Sequence, residues 1–207
     1  MAVEASRIAL RNAGANYVPW SLWFATTEPA YLDKTNANII HAALSLPGST
    51  SAFDTIGSVR SSVAAAMGAG GGTSMAVLSD IRTGLPGGAD ESSGGDAAAA
   101  ICFGTDGVIA EVIGGAGSTA EFTDRWRAPG DKASKQWEER FGEYAYAPLV
   151  DNAFGDALKA ANLAPGDINH AIFSGLHTRA VKASVKACGV NPDRKSTRLN
   201  SSHVSES

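Results

Sequence analysis

The chain has 207 residues, 44% hydrophobic and 18% charged, the make-up of one ordinary globular domain or of a piece of a larger one. Its formal net charge of -4 excludes the basic footprint of a nucleic-acid binder, and its apolar runs are too short and broken to span a bilayer. Two cysteines, Cys102 and Cys188, supply neither a disulfide framework nor metal-ligand spacing; Glu4, Arg7 and Arg11 interrupt the N-terminus where a signal peptide needs an apolar run, so a cytoplasmic location is expected.

The first predicted element is an amphipathic helix over AVEASRIALRNAG, with Ala5, Ile8 and Ala9 at helical spacing and Gly14 as its C-cap. VPWSLWFATT (18–27), rich in aromatic and branched residues, reads as a buried strand. DKTNANIIHAALSL (33–46) reads as a helix stopped by Pro47-Gly48. STSAFDTI is a short strand entering a Gly57-Ser58 corner, followed by a small-residue helix from Ser58 to Met67. SMAVLSDI (74–81) is a second buried strand, and DAAAAICFG and GVIAEVIGG form a strand pair around the turn Thr105-Asp106-Gly107. Residues 116–145 read as polar and irregular, anchored by Trp126, Trp137, Phe141 and Tyr144. PLVDNAFGDALKAANL then reads as a helix, INHAIFSG (168–175) as a strand and HTRAVKASVKACG as a helix. Alternating strands and helices predict a layered α/β fold with a mixed sheet.

The last stretch, Asp193 to His203 (DRKSTRLNSSH), matches the translation of a common sequencing adapter, and residues 193–207 are set aside as a non-native tail. Without them Lys and Arg number 14 and Asp and Glu 19, a net charge of -5, so the charge argument stands. The natural chain is then expected to be cut near Pro192.

The order of segments resembles the condensing enzymes of the thiolase superfamily. MAVEASRIALRNAG is similar to their early helix and GGDAAAAICFG (94–104) to their glycine- and alanine-rich strand. SDIRTGLPGGADESSGGDAAAA and FTDRWRAPGDKASKQWEERFGEYAY resemble the archaeal-type hydroxymethylglutaryl-CoA synthases. ALKAANLAPGDINHAIFSGLHTRAVKASVKACGV resembles the start of the family's second half, also seen in β-ketoacyl synthase III. The resemblance covers nearly all of residues 1–192. It implies a thiolase-like α/β/α arrangement, with 1–145 as an N-terminal half lacking its first strand and 146–192 as the start of a C-terminal half. Such a piece leaves sheet edges and apolar faces uncovered, which predicts poor solubility.

The family acylates a cysteine at a helix N-terminus, where the dipole and nearby donors favour the thiolate. Aligned from Asp54, that position falls on Val59, which cannot be acylated. Ser58 is adjacent, but a one-residue shift turns a helical side chain by about 100°; helix capping is the preferred reading for it. Glu28, in ATTEPAYLDKTNA, falls where the family carries its general acid/base, a role that needs a raised pKa in an apolar setting; the other reading is a solvated loop carboxylate. In FSGLHTR the family's histidine falls on Ser174 and its asparagine on His177, which then serves either as a displaced donor to a carbonyl or as a helix cap. Arg82, Arg125 and Arg127 are candidates to meet a coenzyme A phosphate, with surface ion pairs as the alternative. Cys102 and Cys188 read as small hydrophobes, His41 and His170 as surface or packed residues, and the glycine-rich stretches as turns.

Three functions follow from the resemblance. The first is an acyl-CoA-handling protein related to hydroxymethylglutaryl-CoA synthase, a carbon–carbon bond-forming acyltransferase with its usual nucleophile replaced at Val59. The second is a thiolase-like retro-aldolase acting on a CoA ester, with a zinc-ribbon/OB-fold partner. The third is a non-catalytic subunit. The first two imply a CoA thioester as substrate, the third an active partner that this subunit stabilises; no bound cofactor and a homodimer or heterodimer are expected.

Overall fold

A computed structural model describes residues 1–175 and 177–190, and the backbone of 195–197. The chain divides into two compact units, residues 1–82 with 95–110, and residues 83–94 with 111–207.

The first unit is a four-stranded sheet in the order β2-β1-β3-β4, built from β1 (Ser21–Thr26), β2 (Ser51–Ile56), β3 (Ser74–Asp80) and β4 (Ala97–Phe103). β1 runs parallel to both β2 and β3, and β4 is antiparallel to β3. β1, apart from the half-buried Trp23 and Phe24, and the first half of β3 are buried because they lie inside the sheet, which is why they read as apolar runs. The edge strands β2 and β4 instead alternate between exposed and half-buried residues along much of their length.

Period-two alternation along β1 divides the core into two layers. Leu22, with Met75 and Val77 of β3, packs under α1 (Ala2–Ala13) and α2 (Ala37–Ala43). Ala25, with Ala76, packs under α3 (Ser61–Ala69), whose Ala65 and Ala69 are fully buried. Alanine brings α3 close to the sheet: a Cβ on Gly68 would sit 2.9 Å from the Trp23 ring, which itself packs on Phe53 at 4.6 Å between centroids.

Several sequence expectations need correction in this unit. In α1 the inward stripe passes through Ala2, Val3, Ser6 and Leu10, while Ile8 is 46% exposed. α2 is shorter than expected because residues 27–36 form a hydrogen-bonded loop. α3 begins at Ser61 rather than Ser58, since the corner spends three residues on turns of the Ser58 O···Ser61 N type. The strand expected over 107–115 does not form: residues 104–124 lie outside helix and strand, and Val108, Ile109, Val112 and Ile113 are exposed. High β propensity makes no strand without a ladder partner, and none of the described strands pairs there.

The second unit holds α4 (Ala89–Ser93), a ribbon of β5 (Arg125–Trp126) and β6 (Lys135–Gln136), α5 (Glu139–Ala161), a 3-10 turn (Pro165–Asp167), β7 (Ala171–Phe173), α6 (Thr178–Ala187) and β8 (Lys195–Thr197). β8 lies in the adapter-like tail and pairs with β7 in parallel. α5 starts nine residues before the expected Pro148, which sits inside it; it ends on Asn162 at φ 54, whose N–H bonds the Leu158 and Lys159 carbonyls. α6 packs on α5, and aromatic contacts among Phe122, Phe141, Tyr146, Trp126 and Trp137 fill the unit. Among the described residues no helix is long and apolar enough to cross a membrane.

Candidate functional site

The three parallel strands point their carboxyl ends the same way, and the chain turns there into three of the predicted site positions. Glu28 lies two residues beyond Thr26, and Ser58 two residues beyond Ile56; Thr26 and Ile56 are register partners. Arg82 lies two residues beyond Asp80, the last residue of β3. In open parallel sheets this is the end at which ligands bind.

The β2 corner depends on Gly57, whose φ of +125° is unsuited to a side chain and whose N–H donates to the Thr26 carbonyl at 3.3 Å. The bond ties the corner to the strand that carries Glu28. Ser58 does not cap α3: Arg60 is the N-cap, and the Ser58 N–H donates instead to Ser61 Oγ at 3.3 Å. Val59 is 60% exposed and lies in line with the exposed Val63 and Met67 of α3.

Glu28 sits on a loop that is tightly held. Asp80 Oδ1 accepts from Thr26 Oγ1 at 2.8 Å, from the Thr27 N–H at 2.7 Å and from Thr27 Oγ1 at 3.2 Å. Thr26 Oγ1 in turn accepts the Glu28 N–H at 3.2 Å. At the loop's far end Asn36 is buried and bonded on every side. Its Oδ1 accepts the Tyr31 N–H at 3.0 Å, and its Nδ2 donates to the Tyr31 and Lys34 carbonyls at 2.9 and 3.1 Å. Asp54 of β2 completes the set: Oδ2 accepts from Asn36 N and Nδ2 at 2.7 and 3.0 Å, and Oδ1 accepts the Ala37 N–H at 2.7 Å. A carboxylate thus caps the N-terminus of α2, where the helix dipole favours negative charge. The Glu28 side chain is exposed, so the first unit's own residues do not provide the apolar setting expected for it. Arg82 is half-buried, and its N–H donates to Asp96 Oδ1 at 2.8 Å.

The amino ends of the same strands hold a cleft of about 520 Å³ lined by Leu10, Arg11, Tyr17, Val18, Leu46 and Pro47, and none of the predicted site residues reaches it. Beside it the Tyr17 hydroxyl shares its proton between the Ser74 and Phe103 carbonyls at 2.5 and 2.9 Å. Burial pushes its phenol far above the ordinary range; the adjacent Cys102 adds to the rise and the Phe103 carbonyl opposes it. Burial also pushes the Cys102 thiol up, against the Tyr17 hydrogen bond. Cys102 is therefore a poor source of thiolate, in keeping with its reading as a small hydrophobe.

No family model matches the chain. A hydroxymethylglutaryl-CoA synthase of Picrophilus torridus is 29% identical over 182 residues, which cover 84% of this chain and 52% of that protein. The chain thus spans about half the length of the curated relatives it matches. Among solved structures, the 3-oxoacyl-(acyl carrier protein) synthase III FabH of Pseudomonas aeruginosa superposes with a TM-score of 0.79 over 94% of this chain and 65% of its own, at 18% identity. MvaS in complex with 3-hydroxy-3-methylglutaryl coenzyme A superposes at 0.70 over 93% and 54%, also at 18% identity. The fold is thiolase-like. The mixed sheet with helices on both faces agrees with that expectation.

Two predicted residues of this thiolase-like chain fall in the second unit. Ser174 is exposed just after β7. His177 is the N-cap of α6 through its backbone, its carbonyl accepting the Val181 N–H at 3.0 Å, with no side-chain cap. Its ring is only 7% exposed, stacks on Tyr146 at 5.9 Å, and has no hydrogen-bond partner for Nε2 among the described residues. The expected capping role is thus filled by backbone, and the imidazole goes inward because α5 offers it Gly142, where a Cβ would fall 2.2 Å from His177 Cδ2. Arg125, a candidate for a coenzyme A phosphate, makes a two-pronged ion pair with Asp90 at 3.0 and 2.7 Å. No role was expected of Asp80 and Asn36, and Asp54 served only to align the corner. Their signals were present: a carboxylate inside an apolar strand, another at a strand end, and an asparagine opening a helix.

Proposed function

We propose that this chain is part of a protein that handles acyl-CoA thioesters, in which Glu28 moves a proton at the carbon next to the thioester carbonyl and no covalent acyl-enzyme forms at the β2–α3 corner. The observation that carries the reading is the placement of Glu28 and the Gly57–Val59 corner at matched positions on adjacent parallel strands, joined by the Gly57–Thr26 bond. The similarity to hydroxymethylglutaryl-CoA synthases supports carbon–carbon bond chemistry on a CoA thioester. Val59 occupies the position of the attacking thiol, and hydrocarbon there leaves proton transfer as the remaining chemistry. The role requires a buried Glu28, and the first unit by itself leaves the side chain exposed. In this reading Arg82 and Ser174 are substrate-binding residues and His177 a donor to a carbonyl, each as its position in the thiolase-like pattern implies, with residues 1–145 as the first half and 146–192 as the start of the second.

Retaining a base while losing a nucleophile also suits a lyase. There the carboxylate takes the proton of a β-hydroxyl, the bond between the α and β carbons breaks to release an aldehyde or ketone, and the resulting enolate is protonated to the shorter CoA thioester. A zinc-ribbon/OB-fold partner belongs with that reading. Phe53 of the edge strand β2 and Val59, Val63 and Met67 along the corner and α3 are exposed apolar residues suited to a dimer contact, the role left to this half if it is not catalytic.

Two measurements test the proposal. Incubation with acetyl-CoA followed by intact mass is expected to show no acyl adduct, and a stoichiometric adduct overturns the loss of the nucleophile. Exchange of the acetyl-CoA methyl protons in deuterated water is expected to be accelerated by the chain and abolished by Glu28→Gln; full exchange in that variant removes Glu28 from the chemistry.

A further inference from the structure

We propose that Asp54 and Asn36 are positioning residues that lock the Glu28 loop to the strand leading into the β2–α3 corner, a role that rests on the reading of Glu28 given above. Asp54 is three residues from Gly57 and five from Val59, on the strand that feeds the corner. Its carboxylate does not face solvent as a free charge but accepts three N–H groups, two from Asn36 and one from Ala37. Asn36, 3% exposed, passes the constraint on to the Tyr31 N–H and to the Tyr31 and Lys34 carbonyls. The loop from Thr27 to Asn36 is therefore closed at its far end by a side chain of β2 and at its near end by Asp80 of β3. Any shift of β2 at the corner moves the Glu28 loop with it, so acid/base group and corner hold one geometry.

The two residues are separable. Asn36 makes no side-chain cap to α2, so Asn36→Ala removes the ties to Tyr31 and Lys34 and the Nδ2 bond to Asp54, while Asp54 still accepts the backbone N–H groups of residues 36 and 37. Asp54→Asn replaces one acceptor oxygen with an NH₂ group facing N–H donors and disturbs the far end of the loop, toward Asn36 or toward Ala37. The test uses the full 207-residue chain, with hydrogen exchange of residues 27–35, tryptic cleavage after Lys34, and the kcat and KM of acetyl-CoA methyl-proton exchange. For Asn36→Ala, loss of the four side-chain hydrogen bonds is expected to speed loop exchange and Lys34 cleavage at least about tenfold. Protection of β1 and β3 is expected to stay unchanged, and kcat to fall by a similar factor at constant KM. Unchanged loop protection overturns the clasp, and faster loop exchange with kcat retained overturns the positioning role. Full kcat in Glu28→Gln overturns the reading of Glu28 and the positioning role with it; the two failures are told apart because loop protection in Asn36→Ala is measured without reference to Glu28. Should Asp54→Asn fail to fold, Asn36→Ala still decides.

Discussion

The two units use their charged and polar side chains differently. In the first, Asp54 and Asp80 accept backbone N–H groups at loop and helix ends, while the sheet supplies a continuous core of Leu22, Met75, Val77 and buried alanines. In the second, Glu91, Asp131 and Asp167 likewise accept backbone N–H groups, but Asp90 also pairs with Arg125 and Asp124 with the Tyr146 hydroxyl, and edge-on and tilted aromatic contacts take the place of a broad sheet. A sheet satisfies its own backbone, so its carboxylates are available to fix the loops at its ends. A unit of short ribbons, one long helix and two shorter ones ties its segments together through side chains. The first arrangement places a functional loop accurately; the second holds pieces of chain in contact.

The contrast can be broken first at the core. Leu22→Ala in the first unit is expected to lose about 2–5 kcal/mol, because Leu22 is fully buried between rigid strands. Val181→Ala on α6 removes less buried hydrocarbon and is expected to cost about 1–2 kcal/mol. Urea unfolding of both variants checks the order, and equal losses would mean that the second unit is as well packed as the first.

The next largest effect tests the α5–α6 contact. Gly142→Ala pushes a methyl into the His177 ring and is expected to cost about 1–3 kcal/mol. His177→Ala opens the space, so the double variant is expected to recover most of the loss in a thermal-melt cycle. Simple additivity would show that the two residues are not in contact.

Tyr17 offers a smaller, pH-dependent test. Tyr17→Phe removes a hydroxyl donor to two carbonyls and is expected to cost about 0.5–1.5 kcal/mol at neutral pH. The phenol's folded pKa is raised, so its stabilising effect is present at neutral pH. As pH rises past about 10 the unfolded chain loses the phenolic proton while the folded chain keeps it, and stability falls. Urea titrations from neutral to alkaline pH should show this fall in the parent and a shallower one in Tyr17→Phe.

The smallest effect is kinetic and leaves the fold unchanged. With its thiol pushed up by burial, Cys102 has less thiolate at neutral pH than an exposed cysteine and is expected to react with iodoacetamide more slowly than a free thiol. Peptide mass mapping measures the rate, and labelling as fast as free cysteine would place Cys102 outside the packed edge of the sheet.

The sequence alone determined the features written in neighbouring residues. The apolar run of β1, the small-residue helix α3 and the Gly14 stop are local patterns of burial, propensity and backbone freedom; β1 and the Gly14 stop appear where expected, and α3 forms with its start three residues later. So does the order of segments that marks the thiolase-like fold. Tertiary structure alone decided which acidic groups hold the Glu28 loop, because Asp80 and Thr27 are 53 residues apart and meet only once β1 and β3 pair. It also turned the His177 ring inward to a glycine on another helix, and left 107–115 without a strand because β propensity needs a partner edge that no local pattern supplies.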